Sequence, residues 1–200
     1  MSFENAVGMG DACDASVVKG SGHNAAFGIA GHYEVKCHDA EGNLKWEDTI
    51  ENKVVNVGLT VSLNGALTNT AQGATFMSLK GVGTGSDVVA GDTMSSHANW
   101  AEITSYTVLV TGSPVAQRPA VTFTAVSAGT TSISAPAQLF TMTNLTNVVV
   151  AGCLINVGGA AAFGTLTGTL FSAGNFTGGT KTVINTDTLS VTYTATSTSA

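Results

Sequence analysis

The chain has 200 residues, of which 44% are hydrophobic and 10% are charged, and its formal net charge is −6 at pH 7. This length suits one domain, or a domain with an appendage, and the hydrophobic content suffices for a sizeable core, so disorder over the whole length is excluded. The seven Lys and Arg residues are dispersed, and no apolar stretch approaches the ~18 residues that span a bilayer, which argues against nucleic-acid and membrane partners.

Residues 1–31 are predicted to form an extended N-terminal arm. Glycines interrupt any helix or strand period there, and glycine-rich segments lose much conformational entropy when they become ordered. We therefore expect docking to hold the arm, either on its own domain or on a neighbouring subunit. The candidate interface residues are its scattered apolar side chains, Phe3, Val7, Val17, Val18, Phe27 and Ile29. The start of the chain does not resemble a secretory signal, which predicts cytoplasmic synthesis.

Residues 32–200 are predicted to form one domain that begins with a β-hairpin at residues 32–46. Apolar and polar side chains alternate from Tyr33 to His38, turn-forming residues follow at 39–43, and the alternation resumes at Leu44.

The next segment, residues 49–67, is the best helix candidate. Thr49 can serve as its N-cap, with acidic and polar residues in the first turn. Apolar residues spaced i, i+3 and i+4 predict one buried face, which comprises Val54, Val55, Val57 or Gly58, Leu59, Val61, Leu63, Ala66 and Leu67. Valines and Gly58 lower the helix propensity, so a pair of strands turned at Asn64 and Gly65 stays open as the alternative.

After this segment the chain is predicted to consist of short strands. They are placed at residues 74–82, 105–111, 120–126, 130–134, 138–143, 148–157, 164–172 and 188–196, with a short helical turn at 94–103. Gly and Asn separate them about every 8–12 residues, which is typical of sandwiches. No long helix follows residue 103, so parallel crossover units are excluded. The predicted fold is mainly β, an antiparallel, jelly-roll-like β-sandwich with one or two short helices and the N-terminal arm.

Charged residues are scarce in the second half of the chain. From Pro119 to the end, only Lys181 and Asp187 are charged, whereas about 25% of residues are charged in an average soluble protein. Threonine alternates with valine there, which places Thr on the outer face of each strand. This pattern indicates a surface that other protein covers, as in an assembly component.

Candidate chemical sites are weak. The loop Gly81-Val82-Gly83-Thr84-Gly85 lacks the third glycine of a dinucleotide fingerprint and a following helix, so a simple turn is favoured. Cys37-His38-Asp39 with His32, or the 11–14 segment with His23, lack the paired spacing of metal ligands. Neither a metal nor another cofactor is predicted.

Nucleophilic catalysis is not predicted either. There is no G-x-S-x-G motif, although a triad assembled from distant residues stays open. The three cysteines have irregular spacings and are interpreted as buried free thiols. Trp46 and Trp100 are assigned to core packing, with carbohydrate binding as the weaker alternative.

Several short motifs resemble tailed-bacteriophage virion proteins. Residues 39–46 read D-A-E-G-N-L-K-W, and residues 52–59 read N-K-V-V-N-V-G-L. In those proteins a hairpin with a D-x-x-G-N turn leads into N-x-V-x-x-x-G-L at the start of a helix. The loop at 81–85, the Asp92-Thr93 step and the segment N-T-D-T-L-S-V-T-Y at 185–193 are similar to later parts of the same pattern.

The resemblance implies a non-enzymatic role, no cofactor and symmetric self-association. It favours a head decoration (cement) protein that is made in the host cytoplasm and located in the virion. Its partners would be the major capsid protein and further copies of itself. A tail, baseplate or fibre-attachment protein, with neighbouring tail proteins as partners, is the alternative. A carbohydrate-binding β-sandwich module is a further alternative.

Overall fold

The computed structural model describes residues 27–124, 131–143 and 146–199. Their elements follow in the order β1 (Phe27–His38), β2 (Leu44–Glu51), β3 (Lys53–Val54), α1 (Asn56–Thr68), β4 (Thr75–Gly81), β5 (Tyr106–Val110), β6 (Ser113–Val115), β7 (Ala120–Val121), β8 (Ser132–Ser134), β9 (Gln138–Met142), β10 (Val148–Val157), β11 (Thr169–Asn175), β12 (Lys181–Val183) and β13 (Thr188–Ser199).

The strands form two antiparallel sheets. The first sheet has the order β2-β1-β13-β9-β5-β6, and β8 also pairs with β13. The second sheet has the order β3-β11-β10-β4-β7, and β12 also pairs with β10. The prediction of a mainly β, antiparallel sandwich is therefore confirmed.

The main core lies between the two sheets. Alternation along β1 and β13 turns Tyr33, Val35, Val191 and Tyr193 inwards, where they are at most 1% exposed. The second sheet contributes residues of β4 and β10 to the same cluster. A second, smaller cluster contains Val55, Val88, Met94, Trp100, Leu154, Leu170 and Ala173. Sheet strand β10 is therefore buried on both faces, because the segment between β4 and β5 and the start of α1 cover its other side.

The predicted hairpin at 32–46 is confirmed, but both of its strands are longer than expected. β1 begins at Phe27, within the segment assigned to the arm, and pairs with β13 from Phe27↔Ser199 to His38↔Thr188. β2 continues to Glu51. Residues 1–26 lie outside the described residues, so the rest of the arm stays a prediction.

The helix is confirmed, but its predicted start is wrong. Thr49 is not a cap, because it lies in β2 opposite Glu34. The neighbouring Ile50 is fully buried against the core, and this burial outweighs the local capping signal. α1 begins at Asn56, after an N-cap position held by Val55 without a side-chain hydrogen bond, and continues past Gly65 to Thr68.

Other boundaries also differ from the predictions. The predicted helical turn at 94–103 is a series of irregular turns, held by a 2.8 Å hydrogen bond from Trp100 Nε1 to Asp92 Oδ2. The strand predicted at 164–172 lies later, at Thr169–Asn175. The short strands β3, β6 and β12 were not predicted, because two or three residues carry no periodic signal.

A buried ion pair connects the two sheets. The side chain of Arg118 is fully buried, and its Nη2 donates to Glu102 Oε2 at 2.7 Å. Glu102 Oε1 also accepts a hydrogen bond from the hydroxyl of Ser78 in β4. The Ser78 hydroxyl oxygen lies 2.9 Å from the hydroxyl oxygen of Tyr106 in β5. Arg118 Nη1 donates to the Ala160 carbonyl oxygen at 3.0 Å. The pair thus joins β4, β5 and the loop between β10 and β11.

We expect Arg118→Met to lower the free energy of unfolding by about 3–5 kcal/mol, because it leaves the carboxylate of Glu102 buried without its partner. Equilibrium denaturation in urea measures the loss. Lys36→Met is the matched control, since it removes an exposed pair in which Lys36 Nζ lies 3.9 Å from Glu47 Oε2, and should cost less than about 1 kcal/mol. Equal losses in the two variants would contradict the structural role of Arg118.

Candidate interaction surface

Helix α1 lies on the second sheet through small residues. A Cβ atom added to Gly58 would lie 2.0 Å from the carbonyl oxygen of Phe171 in β11, so only glycine permits this approach. Gly58 is the buried residue of α1, and Val57, Val61 and Ser62 beside it are half-buried. The sequence places a glycine in mid-helix at the point where the helix backbone touches the sheet.

The other side of α1 exposes three leucines. Leu59, Leu63 and Leu67 are 40%, 48% and 79% exposed, and their i, i+4, i+8 spacing aligns them along one side of the helix. We call these three residues the leucine stripe. The prediction that they belong to the buried face is wrong, because close packing at Gly58 turns them away from the sheet.

The composition of α1 makes this exposure unusual. None of its 13 residues is charged, and contiguous exposed apolar side chains are less common on a soluble domain than single ones. Its exposed polar residues, Asn56, Thr60, Asn64 and Thr68, form a separate row on the helix. The leucine stripe is therefore an apolar surface that the described part of the chain leaves uncovered.

An apolar groove lies between α1 and the two sheets. Its larger cavity, of about 300 Å³, is lined mainly by Val61 and Ala66 of α1, by Phe123 after β7, and by side chains from both sheets, Ile133, Ile155, Val157, Phe171, Tyr193 and Ala195. A second cavity of about 220 Å³ shares Ile133, Phe171 and Ala195, and Ile29 also lines it. We call the two cavities together the apolar groove. Among the described residues, no charged side chain lines it.

The charges of the second half of the chain are all paired with residues nearer the N-terminus. Lys181 Nζ lies 2.8 Å from Asp48 Oδ2, and Asp187 Oδ2 lies 2.6 Å from Lys45 Nζ. Arg118 pairs with Glu102 in the same way. The residues from 118 to 199 therefore add no unpaired charge to the surface.

This pairing leaves a charge-free face on the outside of the first sheet. The face consists of Thr107, Leu109, Leu139, Thr141, Ser190, Thr192 and Thr194, which alternate with core residues along β5, β9 and β13. Leu109 and Leu139 are 66% and 49% exposed. The charged residues of this sheet lie on β1 and β2, at the opposite edge.

The predicted interface residues are only partly placed by the structure. Phe3, Val7, Val17 and Val18 lie outside the described residues. The backbone of Phe27 begins β1, and the half-buried Ile29 lines the apolar groove. The leucine stripe was missed as a surface because its spacing is also that of a core face. The lack of charge across α1 was the available signal.

The other candidate sites contain no assembled chemistry. The backbone N–H groups of Gly83 and Gly85 both donate to the Asn99 carbonyl oxygen, at 3.1 and 3.0 Å, so this loop is a turn closed against the chain. Among the described residues, no group of three or more His, Cys, Asp or Glu side chains is placed to hold a metal ion. No described helix is long and apolar enough to cross a membrane.

Two of the three cysteines and both tryptophans lie among the described residues. Cys37 and Cys153 are free and buried, as predicted, and burial raises the pKa of the Cys37 thiol to about 11. Trp100 is 2% exposed and belongs to the second cluster. Trp46 packs edge-on against Phe176, with ring centroids 5.5 Å apart. Both tryptophans are packing residues.

Lys80 is a buried amine beside this second cluster. Its Nζ donates to the Ser86 carbonyl oxygen at 2.7 Å and lies 5.9 Å from the Trp100 ring centroid. Burial lowers the pKa of Lys80 to about 8, although Cys153, Asp87 and Asp92 act in the opposite direction. The folded protein therefore releases this proton more readily than the unfolded chain does.

We expect the stability of the wild type relative to Lys80→Met to rise between pH 8 and pH 10.5. Below about pH 8 Lys80 is charged in both states, and the cost of burying the charge is complete. Above its usual pKa of 10.5 it is neutral in both states and the cost vanishes. The pH-dependent part should reach about 3 kcal/mol. Denaturation of both proteins across this range measures it, and a flat difference would show that Lys80 has an ordinary pKa.

The chain is thus a β-sandwich protein whose described residues leave the leucine stripe and the apolar groove uncovered. No protein-family model, curated protein or solved structure matches it.

Proposed function

We propose that this protein is a structural component of a protein assembly, and specifically a head decoration (cement) protein of a tailed bacteriophage. The observation that carries the proposal is the leucine stripe on a helix without charge. An exposed apolar row on a folded domain is the usual mark of a surface that binds other protein. The partners are further copies of the chain and the major capsid protein.

The energetics of the surface support this role. Covering a leucine side chain contributes about 1.5–3 kcal/mol, which must exceed the entropy lost on association. The charge-free face supplies a second surface whose Thr and Ser hydroxyls lose little when water is removed, compared with Lys or Glu. Many such contacts, repeated by symmetry, hold a shell together through effective concentration.

The phage part of the proposal is supported by the motifs. The D-A-E-G-N turn corresponds to the tip of the β1–β2 hairpin, and N-K-V-V-N-V-G-L spans β3 and the start of α1. The tail, baseplate or fibre-attachment alternative shares the same motifs, so copy number separates the two roles.

We expect Leu63→Glu to weaken self-association by about tenfold or more, because a carboxylate in the stripe would be desolvated on contact. Sedimentation equilibrium over a range of concentrations measures the association constant. Thr60→Glu is the matched control, since it adds the same charge to the polar row of the same helix. A wild-type protein that stays monomeric at all concentrations, or two variants that behave alike, would refute the proposed role of the stripe.

A decoration protein should also be abundant in its particle. Gel densitometry of purified virions should give a copy number comparable to that of the major capsid protein. A copy number far below it would overturn the decoration role and favour the tail alternative.

A further inference from the structure

We propose that the apolar groove is an intramolecular docking site for the segment around Val17 and Val18 of the same chain. This inference concerns a different surface from the leucine stripe and does not depend on the proposed function. The groove is lined by Ile133 and Tyr193 of the first sheet, by Ile155 and Phe171 of the second sheet, and by Phe123, which follows β7. An apolar occupant would extend the core between these side chains.

The position of β1 identifies the occupant. Ile29 lines the groove, and β1 begins two residues earlier, at Phe27. The described chain therefore starts beside the groove, and 26 residues precede this point in the sequence. No other segment outside the described residues combines this length with a starting point at the groove.

The composition of these residues selects Val17 and Val18. Residues 19–26 contain no apolar side chain larger than Ala, and the apolar residues before Val17 are interspersed with Glu4, Asp11 and Asp14. The groove has no charged lining, so an acidic segment would lose solvation there without gaining a partner. Two adjacent valines match the groove chemically.

The connecting segment is long enough for docking on the same molecule. The eight residues 19–26 span up to about 28 Å when extended. Gly20 and Gly22 lie within them and permit a reversal of chain direction. A short tether gives an effective concentration in the millimolar range, which favours the chain's own groove over that of a second copy.

Lys19 provides a direct test of docking. It is the only Lys or Arg before Lys36, so trypsin releases a peptide of residues 1–19 only by cutting beside the docked valines. In the full-length protein we expect this cut to be at least about tenfold slower than in a free peptide of residues 12–26. Mass spectrometry follows the released fragment, and equal rates in protein and peptide would overturn the proposal.

Two pairs of variants locate the protection. Ala66→Glu places a carboxylate in the groove and should restore rapid cutting, whereas Asn64→Glu adds the same charge to the polar row of α1 and should not. Val18→Asp should also restore cutting, with Ser21→Asp as its control. Val18→Asp changes no residue of the described domain, so it keeps the test valid if Ala66→Glu fails to fold.

Two further measurements separate the possible explanations. Protection that is independent of protein concentration supports docking on the same chain, whereas protection lost on dilution would overturn it in favour of exchange between copies. Leu63→Glu should leave the rate of cutting at Lys19 unchanged. Failure of the docking proposal is thereby distinguished from failure of the proposed function, which Leu63→Glu tests through self-association.

Discussion

The buried pair between Arg118 and Glu102 is the interaction on which this fold most depends. Arg118 is fully buried, and its guanidinium also donates to the Ala160 carbonyl oxygen and to Thr165 Oγ1 in the loop between β10 and β11. A charge in this position is tolerated only when its hydrogen-bonding capacity is used. The requirement therefore fixes the loop, β4 and β5 in one arrangement.

The outer faces of the molecule follow a different rule. The few charged residues of the second half form ion pairs, Arg118 with Glu102, Lys181 with Asp48 and Asp187 with Lys45. What remains outside is Thr, Ser and exposed leucine on the first sheet, and the leucine stripe on α1. The scarcity of charge thus has two effects. The few charged residues form pairs inside the fold, and the remaining surfaces lose little solvation free energy on contact with other protein. This combination connects the fold to the proposed assembly role.

Much of the fold could be predicted from the sequence, because Gly and Asn separate short runs that are rich in Val and Thr. The strand at Val148–Val157 was predicted with its observed bounds. Local signals failed where distant pairing decides the structure. Thr49 has the chemistry of a helix cap, yet pairing of β2 with β1 places it in a strand. Leu59, Leu63 and Leu67 have core spacing, yet Gly58 permits a backbone contact that only the assembled sheet reveals. The leucine stripe was missed as a surface because its spacing is the same as that of a buried helix face.

The central claim is that other protein covers the leucine stripe, and hydroxyl-radical footprinting tests it most directly. The assembly purified from its source is compared with the isolated protein, and oxidation is measured at Leu59, Leu63 and Leu67. Leu44, which is 54% exposed on the charged hairpin, is the internal reference. The account predicts a several-fold lower oxidation of the stripe in the assembly with Leu44 unchanged. Equal oxidation of the stripe in both samples would contradict it.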